Sequence, residues 1–264
     1  MKRKVSIYAS GVILALAAVY LISGFFSFPG TIYENLSFAF SPSAERAYEY
    51  GETHFNAQRS KEYDLDRAEY FFRKAEKLDP TLLYVHHELA RIAFLRGMFE
   101  TAMAQINLQI SMHGDRTPNS YYIRGLIEGY MGNYSDSARD YEHYLQVDPH
   151  NWAALNDYAW VLLKAQRFSD AVSVTTRGLA DFPDNPWLLN SQATALFELH
   201  KYTDALAAAE KASASVASLS ETDWLRAYPG NDPQTGAKGL STFKKAVADN
   251  LRVIQSRIAS STNP

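Results

Sequence analysis

A spacing of 34 residues between small side chains constrains this chain more than any other feature. One set of small residues steps along the sequence by 34, 35, 34 and 34 positions, at Ala68, Ala102, Ser137, Ala171 and Ala205. A second set lies upstream in each unit, at Gly51, Ala90, Gly125, Ala159 and Ala193. An aromatic residue stands three positions before each of the last four members of the first set, at Phe99, Tyr134, Phe168 and Tyr202. Five copies in phase indicate one structural unit stacked on itself.

Each unit is typical of two helices joined by a short turn. Small residues suit the points where two helices approach closely, and loop-forming residues separate the first four units, at Pro80, Gly114, Pro149 and Pro183. Gly51 and Ala68 are 17 residues apart, against 12 in the other units, which predicts about five extra residues in the first turn. We expect Ala159→Phe or Ala171→Phe to lower the melting temperature, because a larger residue overpacks such a contact and destabilises the fold by about 1–3 kcal/mol.

This pattern resembles the tetratricopeptide repeat (TPR) family. The resemblance covers residues 44–217 and implies an all-α fold, an α-solenoid of about five helix-turn-helix repeats. The five repeats fall at about 44–82, 83–117, 118–151, 152–185 and 186–217. The departures from the pattern weaken individual units: Ser137 stands where Ala is usual, and the fifth unit has no closing Pro.

The resemblance also implies a binding surface. In TPR proteins the inner groove is lined mainly by the first helix of each repeat and binds peptides or proteins. The equivalent positions here are Tyr48, Glu52, Tyr84, His87, Arg91, Tyr122, Asn156, Trp160, Asn190 and Thr194. TPR domains that hold chaperone C-termini use a clamp of Lys, Asn and Arg, but only Arg91 is cationic among these positions, so that clamp is not reproduced.

The N-terminal residues favour a membrane anchor. Residues 1–4 carry three basic side chains, and residues 5–26 are uncharged and long enough, at about 33 Å as a helix, to cross a bilayer. We therefore expect a transmembrane signal anchor at 5–26, a linker at 27–43, a cytoplasmic N-terminus and a repeat domain on the far, periplasmic or extracytoplasmic side. A cleaved signal peptide and a buried helix are the alternatives.

The C-terminal part, residues 218–264, predicts a loop followed by a helix that caps the array. Ser220 and Asp223 suit the start of a short helix within the loop. An apolar stripe then recurs at steps of three or four, at Leu240, Phe243, Val247, Leu251, Ile254 and Ile258. A coiled-coil or partner-binding helix is the alternative to a cap.

Composition and motifs give no sign of an enzyme. The chain has no cysteine, a net charge of -3, and none of the phosphate-binding or nucleophile motifs that catalysis would use. His86 and His87 are adjacent, so on a helix they diverge and cannot share a metal. We expect no cofactor, no metal and no nucleic-acid partner. The leading hypothesis is a membrane-tethered scaffold that binds a protein or peptide in the groove; the alternative is a structural subunit held through the C-terminal helix and the transmembrane segment.

Overall fold

Thirteen α-helices and no β-strand make up the part of the chain that the structure, a computed structural model, describes: the backbone of residues 30–262 and the side chains of residues 34–260. The helices are α1 (Gly30–Phe40), α2 (Ala44–His54), α3 (Leu65–Leu78), α4 (Val85–Leu95), α5 (Phe99–His113), α6 (Asn119–Met131), α7 (Tyr134–Val147), α8 (Trp152–Lys164), α9 (Phe168–Asp181), α10 (Pro186–Glu198), α11 (Tyr202–Ala217), α12 (Glu221–Ala227) and α13 (Gly236–Thr262). The predicted cytoplasmic N-terminus (1–4) and transmembrane helix (5–26) lie outside these residues. None of the helices between residues 30 and 262 is both long and apolar enough to cross a membrane.

Ten of these helices form five hairpins that stack on one another. Helices α2 and α3 pair, as do α4 and α5, α6 and α7, α8 and α9, and α10 and α11. The second helix of each hairpin packs on the first helix of the next. From the second hairpin to the fifth, the first helices also contact one another along one side of the stack. In the last four hairpins the second helix begins at the aromatic residue of the repeat pattern. The result is an all-α, TPR-like solenoid.

The small residues of the repeat lie where the two helices of a hairpin cross. Ala159 and Ala171 are fully buried, as the sequence pattern requires. At Gly51 a β-carbon would approach the ring of Phe72 to 2.6 Å, so the first hairpin closes only around glycine. The third hairpin uses Ser137 because its hydroxyl donates a hydrogen bond of 2.5 Å to the carbonyl of Gly125 on the facing helix.

The turn inside each of the last four hairpins contains a residue in the left-handed region. Gly97 (φ 71°) and Gly132 (φ 86°) occupy this position in the second and third hairpins. Gln166 (φ 58°) and His200 (φ 61°) occupy it in the fourth and fifth. Glycine adopts this conformation without steric strain, whereas a side chain destabilises it by about 1–2 kcal/mol.

The structure corrects the linker that the sequence predicted at residues 27–43. Residues 30–40 form helix α1, which packs on the first hairpin. Phe38 is buried against Phe71, and the carboxylate of Glu34 accepts hydrogen bonds from Arg67 (2.7 Å) and His54 (2.9 Å). One buried ring and one ion-paired carboxylate fix α1 on the first hairpin. The helix therefore has no long apolar periodicity from which it could be predicted.

The C-terminal helices close the other end of the solenoid. Helix α12 begins with the capping pair that the sequence predicted, Ser220 and Asp223. Helix α13 packs on α11, with Val247 and Ile254 of its apolar stripe buried against the last hairpin. The stripe is therefore used within the chain and covers the surface that a sixth repeat would otherwise cover.

Candidate functional site: a groove along the first helices of the hairpins

Three adjoining cavities of about 400, 400 and 650 Å³ run along the inner side of the stack. The first is lined mainly from α4 and α6, by Tyr48, Tyr84, His87, Glu88, Arg91, Asn119, Tyr122, Ile123 and Tyr144. The second shares Arg91, Tyr122 and Tyr144 with the first and is bounded on one side by residues 226–231. The third reaches α8 and α10 and shares Tyr122 and Tyr228 with the second. Together they form one groove.

The first cavity contains an ion pair that is complete within the chain. The guanidinium of Arg91 donates to the buried carboxylate of Glu88 at 2.6 Å. Burial raises the pKa of Glu88 to about 7, while the charge of Arg91 opposes that rise. Burial, together with Arg91, lowers the pKa of the neighbouring His87 to about 3 and so keeps its ring neutral. The Glu88 carboxylate and the Arg91 guanidinium of this cavity are therefore already paired with each other.

A turn from the C-terminal segment reaches across the groove to the first hairpin. The closing turn, residues 228–231, is fixed by a hydrogen bond from the Asn231 amide to the Tyr228 carbonyl. The hydroxyl of Tyr63 donates to the carbonyl of Gly230 at 2.9 Å, and the amide of Ala57 donates to Pro229 at the same distance. The lengthened turn of the first repeat supplies both donors. Its extra residues therefore have a structural use, which is to hold the two ends of the solenoid together.

The third cavity has a different character. Nine of its nineteen lining residues are aromatic, and Asp157 is the only charged one among them. The Asp157 carboxylate accepts a 2.6 Å hydrogen bond from the Tyr122 hydroxyl and a longer one, 3.4 Å, from the amide of Asn156. Burial raises the pKa of Asp157 to about 6, and the two hydrogen bonds oppose that rise. The cavity can therefore hold an apolar or aromatic group beside a carboxylate that is ionised at neutral pH.

The structure brings together eight of the ten residues that the sequence mapped to the groove. Tyr48, Tyr84, His87, Arg91 and Tyr122 line the first cavity, and Tyr122, Asn156, Trp160 and Asn190 line the third. Glu52 is exposed and lines none of the three cavities, and Thr194 lines none of them either. The amide of Asn250 on α13 donates to Asn190 at 2.9 Å and approaches Thr194 at 3.5 Å, so the C-terminal helix already uses these two positions.

Sequence reasoning missed the acid of the third cavity and the residues of the closing turn. Asp157 directly follows Asn156, which was mapped to the groove, and an acidic residue on a mostly apolar helix whose other charged residue is its last, Lys164, was the available signal. Tyr228 and Gly230 lie outside the repeats, so no periodicity could have placed them. Among the residues with described side chains, no group of three or more His, Asp or Glu is arranged to hold a metal ion.

The fold and the groove define the class: a TPR-like α-solenoid with a lined inner surface. Residues 130–194, from the third to the fifth hairpin, match the family model of the tetratricopeptide repeat. The period of the sequence, this match and the stacked hairpins together support the TPR family for this chain. Among curated proteins, none matches the sequence with significance.

Several solved structures share the fold at low sequence identity. The chain is similar to PilW, described as a widely conserved type IV pilus biogenesis factor, at 16% identity and a TM-score of 0.59, over 82% of this chain and 94% of PilW. It is similar to YrrB, described as a TPR protein with an unusual peptide-binding site, at 13% identity and a TM-score of 0.57, over 70% and 93% of the two chains. A TPR protein from Parabacteroides merdae matches at 14% identity and a TM-score of 0.56, over 84% and 90%. At these identities the likeness concerns the fold.

Proposed function

We propose that this protein is a membrane-tethered interaction scaffold that binds a segment of a partner protein in the groove. The observation that carries the proposal is the third cavity, which is open, about 650 Å³ in volume and lined by aromatic and amide side chains. Aromatic rings supply contact area at a small entropic cost, and amides pair with an extended backbone. The similarity of the fold to YrrB, described as a TPR protein with an unusual peptide-binding site, supports the same use here.

The tether is part of the proposal. Residues 5–26 would anchor the chain, with residues 1–4 in the cytoplasm and the solenoid on the other side of the membrane. An anchor raises the local concentration of any partner at the membrane, which makes a groove of modest affinity effective. Two measurements test this part separately: alkaline extraction should leave the full-length protein in the membrane, and external protease should digest residues 44–262 in spheroplasts. A protein that is extracted, or a solenoid that stays protected, contradicts the tether or its orientation.

The alternative function, a structural subunit held through its C-terminal helix, has less support. The apolar stripe of α13 is buried against α11, and Val253, at 55% exposed, lies outside that stripe. A partner that docked on the stripe would first have to displace the helix from its own solenoid. The third cavity of the groove, in contrast, is accessible without such a displacement.

Site-specific photocrosslinking tests groove binding directly. A photoreactive benzoyl-phenylalanine at Tyr130, whose ring is 57% exposed in the third cavity, should crosslink a partner in intact cells. The matched control is the same substitution at Tyr70, which is 47% exposed on α3 and lines none of the groove cavities. A crosslinked protein that is specific to position 130 supports the proposal. The same products at both positions, or none at position 130, would contradict it.

A further inference from the structure

The three cavities of the groove differ in how their charges are balanced. In the first, Glu88 is paired with Arg91. The second contains two cations, Arg91 and Arg226, and Arg226 lies 3.7 Å from Asp223. In the third, no lysine or arginine occurs among the lining residues that the structure describes, and Asp157 is the only carboxylic acid among them. The third cavity therefore carries a negative charge that its own walls do not neutralise.

The hydrogen bonds of Asp157 orient its carboxylate but leave this charge in place. Both donors, the hydroxyl of Tyr122 and the amide of Asn156, are neutral. A carboxylate has about four acceptor positions, so further donors can still reach it from the cavity. The effect of the charge extends to the surrounding rings: after burial, which is the larger cause, Asp157 raises the pKa of Tyr130 and of Tyr228. A cation that entered the cavity would relieve this unbalanced field.

The aromatic wall beside Asp157 suits the same kind of group. The rings of Tyr130 and Trp160 lie 5.3 Å apart, and Phe94 packs edge-on against Tyr130 at 5.1 Å. Elsewhere in the described chain such rings carry a cation of the protein itself, as where Arg91 lies 4.6 Å from the centre of the Phe55 ring. Tyr130 and Trp160 stack on no cation in the described part of the chain. Aromatic faces attract Lys and Arg side chains, most strongly where water is partly excluded.

We propose that the third cavity is a specificity pocket for an Arg or Lys side chain of the partner segment, held between the Asp157 carboxylate and the rings of Tyr130 and Trp160. This inference rests on the proposed function and deepens it, because it states which feature of a partner the groove recognises. Three observations agree: the only charge is negative, its protein partners are neutral, and an exposed aromatic wall stands beside it. A partner segment with an acidic or uncharged residue at this place would leave the half-buried carboxylate of Asp157 without a cationic partner.

A displayed library of nine-residue peptides, selected on the full-length purified protein, provides the test. The selected peptides should share one position at which Arg or Lys is strongly enriched. Replacing that Arg by citrulline, which keeps the shape and removes the charge, should weaken binding at least tenfold. Asp157→Asn should weaken the Arg peptide by a similar factor and change binding of the citrulline peptide by less than twofold. Trp160→Leu should weaken the Arg peptide more than the citrulline peptide.

Glu210→Gln serves as the matched control, since Glu210 is an exposed acid of the same solenoid that lines none of the cavities. It should bind the Arg peptide as the wild type does. Selected peptides without a cationic position, or equal affinity of the Arg and citrulline peptides for the wild type, would overturn the cation pocket while groove binding stands. If the wild-type protein retains no peptide and crosslinking at Tyr130 also fails, groove binding falls and the pocket with it.

Discussion

The first cavity, in the N-terminal half of the groove, and the third cavity, in the C-terminal half, are built from the same repeat. They balance their charges in opposite ways. In the N-terminal half, Glu88 and Arg91 neutralise each other at 2.6 Å, and the closing turn lies against Arg91. In the C-terminal half, Asp157 has only neutral hydrogen-bond partners and stands beside an open aromatic wall. A repeat fixes where the first helices lie, while individual residues decide which part of the groove is closed by the chain and which part is left for a partner.

The two halves also differ in the contacts that join them to the C-terminal segment. The C-terminal half is fixed by a ring stack in which Trp187 lies 5.2 Å from Phe243 and 4.9 Å from Trp152. The N-terminal half is attached to the closing turn by two hydrogen bonds, from Tyr63 and Ala57. Truncating a buried aromatic side chain costs about 3–5 kcal/mol, whereas a single hydrogen bond contributes about 1 kcal/mol. We therefore expect a larger loss of stability from removing a ring of this stack than from removing one of the two hydrogen bonds.

Trp187→Ala should produce the largest effect. Trp187 is 8% exposed and joins α10 to the C-terminal segment, so its removal leaves a large cavity and should lower the free energy of unfolding by about 3–5 kcal/mol in a denaturant titration. It should also release α13 to trypsin at Lys244 and Lys245. In the control, Trp160→Ala, which removes a ring that contacts Tyr130 and lies outside this stack, the proteolysis of α13 should stay as in the wild type. A loss under about 1 kcal/mol for Trp187→Ala would show that the ring stack does not hold this half.

Asp157→Asn should change how stability depends on pH. Burial raises the pKa of Asp157 to about 6, above its usual value of 3.8, so the folded protein binds a proton that the unfolded chain has released. The wild type should therefore lose stability as the pH rises from about 4 to about 6. Asp157→Asn should remove this loss and be more stable at pH 7 by on the order of 1–2 kcal/mol, after allowance for partial exposure. Thermal melts between pH 4 and pH 8 measure it.

Two further variants show whether the pH dependence is specific to Asp157: one removes an exposed acid, and the other removes the paired acid of the N-terminal half. Glu210→Gln removes an exposed carboxylate on α11 and should leave the pH profile unchanged. Glu88→Gln removes the raised pKa of the N-terminal half but also takes a charged partner from Arg91, so its gain at pH 7 should be smaller than that of Asp157→Asn, or negative. A pH profile of Asp157→Asn that follows the wild type between pH 4 and pH 6 would contradict the unbalanced charge.

Much of the array could be predicted from the sequence because its information is periodic. The buried positions Ala159 and Ala171, and the helix starts at Phe99 and Phe168, follow from a spacing that five copies repeat. Eight of the ten mapped groove positions line a cavity for the same reason. Repetition averages out the accidents of any single copy, so even an approximate alignment places the helices.

Features made by a single contact could not be predicted. Helix α1 depends on the burial of Phe38 and the ion pair of Glu34, and the closing turn depends on a donor 167 residues away, Tyr63. The use of Asn190 by Asn250 is equally non-local. None of these contacts leaves a pattern in the sequence, because each joins two positions that are not repeated from one hairpin to the next.

Tyr63→Phe tests the weaker attachment of the N-terminal half. It removes the hydrogen bond to the Gly230 carbonyl and keeps the ring, so we expect a loss of about 0.5–1.5 kcal/mol in the free energy of unfolding. Hydrogen exchange should show faster exchange at Ala57, whose amide donates to the same turn, and unchanged exchange at Ala195 in α10. Slow exchange at Ala57 in the variant would mean that the turn is held by other contacts.

Gln166→Gly should have the smallest effect and the opposite sign. The turns of the second and third hairpins, toward the N-terminal half, carry Gly97 and Gly132 in the left-handed conformation. Those of the fourth and fifth hairpins, in the C-terminal half, place Gln166 and His200 there. Glycine relieves the strain of the folded turn but adds freedom to the unfolded chain, so the net gain should be less than about 1 kcal/mol. Gly132→Ala should lose about 1–2 kcal/mol for the converse reason, since no neighbouring atom limits the added methyl group and only the backbone conformation opposes it. If denaturant titrations give both variants the same sign, the difference between the turns of the two halves is not one of backbone strain, and the non-glycine turns of the C-terminal half must be stabilised by their side chains.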